Sequence, residues 1–375
     1  MKPRSLLPLA IFALALTAAA WRIPNPAPAA FVAPPPPAAA TAPAEFASTL
    51  LPVAAPSAHA AALAELPDGR LAAAWFAGSR EGAADVAVWL SLRDGEHWTT
   101  PHPIATREAT AQATLAYTRK VGNPVLFVEG QRLHLWFVSV SWGGWAGSSL
   151  NHAHSDDAGA TWSSPRKLQT SPFFNISTLG RAPPVHLADG GIGLPVYHEF
   201  IAKHGEWLRL DASGALVGKT RMPQPVRTLQ PAVVALDGQR AFAALRDAGP
   251  GPGRVRVAVT DDAGQHWQRS APLPLPNPNA SVALLRLASG HLLLAGNGEG
   301  NRNRLLLWLS ADEGRTWSAP RAIEDDPEIS AEYSYPALLL ARDGRIHLAY
   351  TWQRKGIRHA VFTEAWLNTL PGAQP

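Results

Sequence analysis

The 375-residue chain contains no cysteine, which excludes a disulfide framework and any thiolate metal site. Its histidines show no zinc spacing, so neither a metal nor a cofactor is expected. There is no basic tract interleaved with aromatics, and the formal charge of +4 is mild, so nucleic acid is not an expected partner. No apolar run reaches the roughly 20 residues of a membrane span. The nearest, Leu6 to Ala20, follows Lys2 and Arg4 and ends in the small residues Thr17-Ala18-Ala19-Ala20. That pattern reads as a signal peptide over 1–20, or else as an uncleaved anchor. A Pro/Ala-rich linker over 21–47 follows, with Pro34 to Pro37 consecutive, and reads as an extended tether. The expected location is outside the cytoplasm: periplasmic, anchored in the inner membrane, or secreted. Tyrosine is scarce, at five residues, so a tyrosine in a repeated position stands out.

The chain does hold repeats. An octapeptide occurs at Ser91–Trp98, Ser155–Trp162, Thr260–Trp267 and Ser310–Trp317, with starts 64, 105 and 50 residues apart. A second signal recurs six times: a small or acidic residue, Gly, then an apolar run. Its glycines are Gly69, Gly130, Gly190, Gly238, Gly290 and Gly344. Asp-Gly between apolar runs is a hairpin signal, because glycine accepts positive φ. Strands opening near Asn123-Pro124, Ala182-Pro183, Gln230-Pro231, Asn277-Pro278 and Tyr335-Pro336 precede most of these turns. One unit therefore reads as four antiparallel strands in about 50 residues, a propeller blade. The expectation is an all-β, six-bladed β-propeller over 48–367 with a short tail over 368–375. The third blade lacks the octapeptide and turns at Leu210 to Gly214. A strand near Ser48 to Pro56 is expected to complete the sixth blade and protect its edge. A monomer is expected.

The octapeptide resembles the Asp box, or BNR repeat, of bacterial sialidases, where it is a structural turn remote from the active site. The runs Trp75–Trp98, Val196–Phe200, Pro276–Ser281 and Glu332–Leu339 also resemble sialidase-like BNR proteins. The resemblance implies an exo-acting glycoside hydrolase that releases a terminal acidic sugar from a glycan or glycoconjugate. Such enzymes use a tyrosine nucleophile, a general acid and arginines that grip the sugar carboxylate.

Residue by residue, the resemblance points to Tyr335 as nucleophile, with Tyr333 as rival. Arg246 resembles the second arginine. Arg304 or Arg302 resembles the third, with Arg304 preferred because it is nearer the strand. The first arginine is missing, and His59 stands at its place. Gln230 stands where the tyrosine-activating glutamate is expected, and an amide cannot take the phenol proton. Glu199 or Glu332 would have to supply that carboxylate. The loop from Gly78 to Asp85 offers Glu81, the first choice, and Asp85 as general acid, with Arg80 beside them as a substrate contact. Asn123, His198, Asn279 and Arg354 fall near the same face, as do Trp142, Trp145 and Trp352. The departures keep two alternatives open: a non-catalytic carbohydrate-binding propeller, and a lyase or other glycosidase for a different acidic sugar.

Overall fold

A computed structural model describes residues 6–21, 30–38, 42–171, 175 and 177–369. Six separate antiparallel sheets follow one another along the chain as the six blades of a propeller. Their innermost strands are Ser57–Glu65, Lys120–Glu129, Leu179–Gly180, Thr228–Ala235, Ala283–Arg286 and Tyr333–Leu340. Blade 6 runs Tyr333–Leu340, Ile346–Trp352, Gly356–Phe362, and its fourth strand is Phe46–Leu50, from the other end of the chain. Phe46 pairs with Phe362 and Leu50 with Arg358, which closes the ring. The closing strand starts two residues earlier than expected and ends six residues sooner.

Each inner strand starts at one face of the disc and ends at a glycine turn on the other. The loops after the second strands return to the first face. That geometry gathers the candidate residues on one face, here called the funnel, and the octapeptides on the opposite one. Apolar side chains fill the space between blades. Leu194, Val196 and Leu208 of blade 3 pack with Val125, Trp136 and Val138 of blade 2.

Three octapeptides share one hydrogen-bond pattern. Asp157 accepts from the Thr161 amide at 2.8 Å and hydroxyl at 2.6 Å, and Asp312 does the same with Thr316 at the same distances. These bonds hold both carboxyls down at about 2. Asp262 accepts from the His266 amide at 2.8 Å. The first octapeptide has Arg93 at the Asp position, and Ser91 instead donates to the Thr99 carbonyl at 2.6 Å.

The linker is not a free tether where it is described. Residues 30–38 lie extended across the face opposite the funnel, held by blades 3, 4 and 5. Phe31 N donates to Gly238 O at 2.8 Å, Val32 N to His186 O at 3.0 Å, and Ala38 N to Ala288 O at 2.8 Å. The reason is Phe31 itself, buried edge-on against Trp207 at 5.9 Å. Burying a phenyl ring contributes about 2–3 kcal/mol, which a run of proline and alanine alone lacks. Residues 22–29 and 39–41 of the expected linker lie outside the described residues, as do 1–5 of the expected leader and 370–375 of the tail. Leu6–Trp21 is helical and exposes Leu9, Ile11, Phe12 and Leu14. No described helix is long and apolar enough to cross a membrane.

Candidate active site

Five blades carry a non-glycine residue in the left-handed region near the start of the inner strand. These are Ala60, Asn123, Gln230, Asn279 and Tyr335, with φ of 55°, 47°, 53°, 52° and 55°. In four of them the register slips at that point: between His59 and Ala62, Gly122 and Val125, Leu229 and Ala232, and Ser334 and Ala337. A bulge with a left-handed residue re-aims a side chain, at a cost of about 1–3 kcal/mol for a residue other than glycine. Paid in several blades at one radius, that cost marks the axis as the place where side chains have been turned inward.

The bulges bring four candidates together. Arg246 donates to the Tyr335 hydroxyl at 3.3 Å, to Gln230 Oε1 at 3.2 Å and to Asn279 Oδ1 at 2.7 Å. Asn123 and Gln230 both donate to the Tyr197 hydroxyl, at 3.3 and 3.4 Å. Burial pushes the Tyr197 phenol well up, so it is neutral. Tyr197 was not singled out from sequence, although it lies inside the quoted Val196–Phe200 run.

Arg302, not the preferred Arg304, belongs to this group. Its guanidinium stands 5.6 Å from the Tyr335 ring and donates to Asn279 O at 3.0 Å and Glu332 Oε1 at 3.0 Å. Arg304 opens a third strand, is exposed, and pairs outward with Asp325 at 2.9 Å. Arg354 grips the other Glu332 oxygen at 2.6 Å and also pairs with Glu81. Burial opposes ionisation of Glu332, but the Arg354 hydrogen bond, the Ser334 hydroxyl and the two guanidinium charges hold it down at about 2. Gln353 and Arg354 are both left-handed, with φ 49° and 55°, and Lys355 N donates to Trp352 O at 3.0 Å. That is a tight turn with two left-handed central residues, positions that ordinarily favour Asn and Gly. Here it carries a glutamine and an arginine and delivers the arginine to the site.

Three expectations are corrected. His59 does not replace the missing arginine as a cation. It is buried behind Tyr335, ring to ring at 4.3 Å. Burial first, then the Arg354 charge, push it down to about 3, so it is neutral. Tyr333 is buried in the core between blades 5 and 6, and its hydroxyl donates to Asp326 at 2.8 Å. Asp85 accepts from the Ser79 amide at 2.8 Å and hydroxyl at 3.0 Å, and these bonds hold it below the usual carboxylate range. It ties off its own loop.

The remaining candidates sit at the margin. Glu199 pairs with Lys203 at 2.9 Å. His198 stacks on His204 at 5.0 Å. Arg80 is exposed. Trp145 lies under the Lys120 ammonium at 3.9 Å, Trp352 under the Arg358 guanidinium at 5.3 Å, and Trp142 stands exposed beside Tyr117.

One further residue emerges at the axis. Arg181 of blade 3 is 4% exposed and crosses to blades 1 and 6. It donates to Ala61 O at 2.9 Å, Tyr335 O at 2.6 Å and Pro336 O at 3.0 Å. It thus pins the two peptide units that follow the left-handed Tyr335, on either side of Pro336. Burial lowers its pKa to about 10, so it still carries its charge at neutral pH. It stands directly before the Ala182-Pro183 strand opening, but nothing in that repeat marks an arginine as functional.

Along the rim, Arg302 and Arg354 pair with Glu332 and Arg354 with Glu81, while Arg246 bonds only neutral groups, and the Arg181 charge lies buried at the axis. The balance is cationic and suits an anion. A cavity of about 430 Å³ opens elsewhere, between blades 4 and 5 around Phe242, Val257 and Leu273, and includes none of these residues.

Comparison with solved structures returns the same fold. A Hadza microbial sialidase matches with a TM-score of 0.67 at 17% identity, over 82% of this chain and 66% of that one. A Dyadobacter fermentans protein of unknown function matches at 0.66 and 14% identity, over 84% and 97%. The Ruminococcus gnavus intramolecular trans-sialidase matches at 0.63 and 15% identity, over 86% and 98%. This chain thus spans slightly less than two thirds of the first of these, and such identities speak for the fold alone. No curated protein matches the chain. The family model described as "BNR repeat-like domain" matches residues 69–348, and the chain belongs to that family.

Proposed function

We propose that the funnel binds the terminal acidic sugar of a glycan and hydrolyses its glycosidic bond, as an exo-α-sialidase does. The observation that carries this reading is the Arg246 guanidinium on the Tyr335 hydroxyl, inside a rim of three arginines. That guanidinium donates to the Tyr335 oxygen and fixes it at the axis, and the rim is matched to a carboxylate. In this reading the Tyr335 oxygen bonds to the anomeric carbon as the bond to the leaving oxygen breaks. Glu81, once released from Arg354 and protonated from solvent, gives that oxygen its proton, and Glu199, or Glu332 once its arginines turn to the sugar carboxylate, receives the phenol proton. Water then cleaves the sugar from Tyr335. Export through the Leu6–Trp21 segment, to the periplasm or to a membrane anchor, belongs to the same proposal and is supported by Lys2, Arg4 and the apolar run between Leu6 and Ala20.

Gln230 favours a second reading, a propeller that binds acidic sugars without turnover. An amide, not a carboxylate, accepts from Arg246 beside the nucleophile. One experiment separates the readings. The protein is offered a fluorogenic sialoside and fluorogenic uronides, with Tyr335→Phe alongside. Fluorophore release that Tyr335→Phe lowers by about 10³-fold or more supports hydrolysis. Release that Tyr335→Phe leaves intact removes Tyr335 as nucleophile. Saturable binding without release supports the binding module. An unsaturated, ultraviolet-absorbing product supports a lyase.

A further inference from the structure

The first octapeptide departs from the other three in a way that leaves a charge without a partner. At the third position the others place Asp157, Asp262 and Asp312, and each acid accepts from the residue four places on. Blade 1 has Arg93 there. Its chain also turns differently. Asp94 pairs with His97 and Arg93 with Trp98, so Gly95, at φ 58°, and Glu96 form a two-residue hairpin turn. Arg93 therefore stands inside a strand, opposite Leu71 on one side and Trp98 on the other. From there its side chain lines a cavity of about 440 Å³ between blades 1 and 6, on the face of the disc opposite the funnel.

The other charges of this cavity cancel in pairs. Asp68 holds Arg70 at 2.8 Å, Glu65 holds Arg342 at 3.0 Å, and Asp343 holds Arg345 at 2.7 Å. Two of these pairs belong to the hairpin turns themselves: Asp68 and Asp343 each accept from the backbone and side chain of the arginine two places on. His347 is pushed down to about 4, by burial first and then by the Arg93 charge, and is neutral at pH 7.

Arg93 is the exception. Among the described residues its guanidinium has neither an ion-pair nor a hydrogen-bond partner, and its Nε is buried unpaired. The two terminal nitrogens are not buried and open on the cavity. Burial, and after it the Arg345 charge, push its pKa below the usual arginine value, while Glu96 and Asp343 act on it only from a distance. A guanidinium stripped of part of its water is ordinarily paired, because the lost hydration needs a replacement. An anion beside Arg93 and Arg345 would supply that replacement and relieve their repulsion.

We propose that this cavity binds a phosphate or sulfate group, held by Arg93 and completed by Arg345. Arg93 offers its terminal nitrogens as a fork to two oxygens of the anion. Arg345 bonds Asp343 through Nε and Nη2, which leaves Nη1 for a third oxygen. A tetrahedral oxyanion carries oxygens for two guanidinium groups at once, where a carboxylate is filled by one. The cavity is larger than the free ion, so the group can be the head of a larger molecule. It opens on the face opposite the funnel, so the site takes no part in the hydrolysis proposed above.

The test uses Arg246→Ala protein, in which the funnel's hold on anions is impaired, at constant ionic strength. Inorganic phosphate, inorganic sulfate and acetate are titrated by calorimetry. Vesicles of phosphatidylglycerol are compared with vesicles of phosphatidylcholine by co-sedimentation. Saturable millimolar binding of phosphate or sulfate is expected. Arg93→Gln should weaken it about tenfold or more, and Arg93→Lys, which keeps the charge but not the fork, should weaken it less. Arg93→Asp, which copies the other octapeptides, should abolish it. Melting temperatures report that the variants fold. Binding confined to the phosphatidylglycerol vesicles and lost with Arg93→Gln supports the site and assigns its group to a lipid headgroup. No binding by any probe, equal binding of acetate, or binding that Arg93→Gln and Arg93→Asp leave intact in folded protein overturns the proposal.

Discussion

The two ends of the blades follow opposite rules. At the octapeptide end, different blades repeat the same atoms: Ser155, Asp157 and Thr161 in blade 2 bond as Ser310, Asp312 and Thr316 do in blade 5, within 0.1 Å for each pair. At the funnel end, five blades repeat the same left-handed backbone but fill it with Ala60, Asn123, Gln230, Asn279 and Tyr335. Repetition of side chains marks what every blade needs in order to fold. Repetition of a strained backbone under changing side chains marks a common platform put to individual use.

The comparison can be broken by substitution. The largest effect is expected from Arg181→Met. Removing a buried cation that holds three carbonyls should cost about 3 kcal/mol in urea unfolding and release the Tyr335 bulge. An unchanged midpoint would mean that the axial bonds do not matter. Next comes Arg246→Ala, which should weaken the funnel's hold on an acidic sugar about 30-fold, read by calorimetry, with no loss of melting temperature. Equal loss of both would return the funnel to the structural side of the comparison.

Ala60→Gly should raise stability by about 1 kcal/mol, because glycine adopts φ near 55° without the Cβ clash. If it destabilises, the bulge is not strained. The smallest effect is expected at the octapeptides. Asp157 and Asp312 titrate at about 2 when folded and near 3.8 when free. Their contribution is complete above pH 3.8 and is lost as the pH falls through about 2. Asp312→Ala should therefore lower the melting temperature at pH 7 and flatten its fall between pH 4 and 2, while leaving funnel binding untouched.

A separate loss sets in earlier. His347 and His359, folded values about 4 and about 3, begin to cost stability as the pH drops below 6.5, the free value.

Much of the fold was legible. The turn glycines from Gly69 to Gly344 are local signals, since a hairpin depends on residues a few positions apart, and they count the blades. Tyr335, Arg246, Gln230, Asn123 and Asn279 were legible by their place in the repeat. Arg302 was not separable from Arg304, because the two differ by one strand register: Arg304 begins the strand and points to Asp325, while Arg302 stays in the loop. Arg181 carried no signal, since its partners Ala61 and Tyr335 lie 120 and 154 residues away. Phe31 looked like part of a tether because nothing near it in sequence announces Trp207.

The sequence by itself determined the blade: strands joined by short turns, which in blades 1 to 5 pair with neighbours in the same stretch of chain. Only the tertiary structure decided what meets at the axis, what covers each blade, and which of two neighbouring arginines, Arg302 or Arg304, faces Tyr335. Closing the ring brings together residues of different blades, and no local pattern encodes the face of a neighbour against which a side chain will find itself pressed.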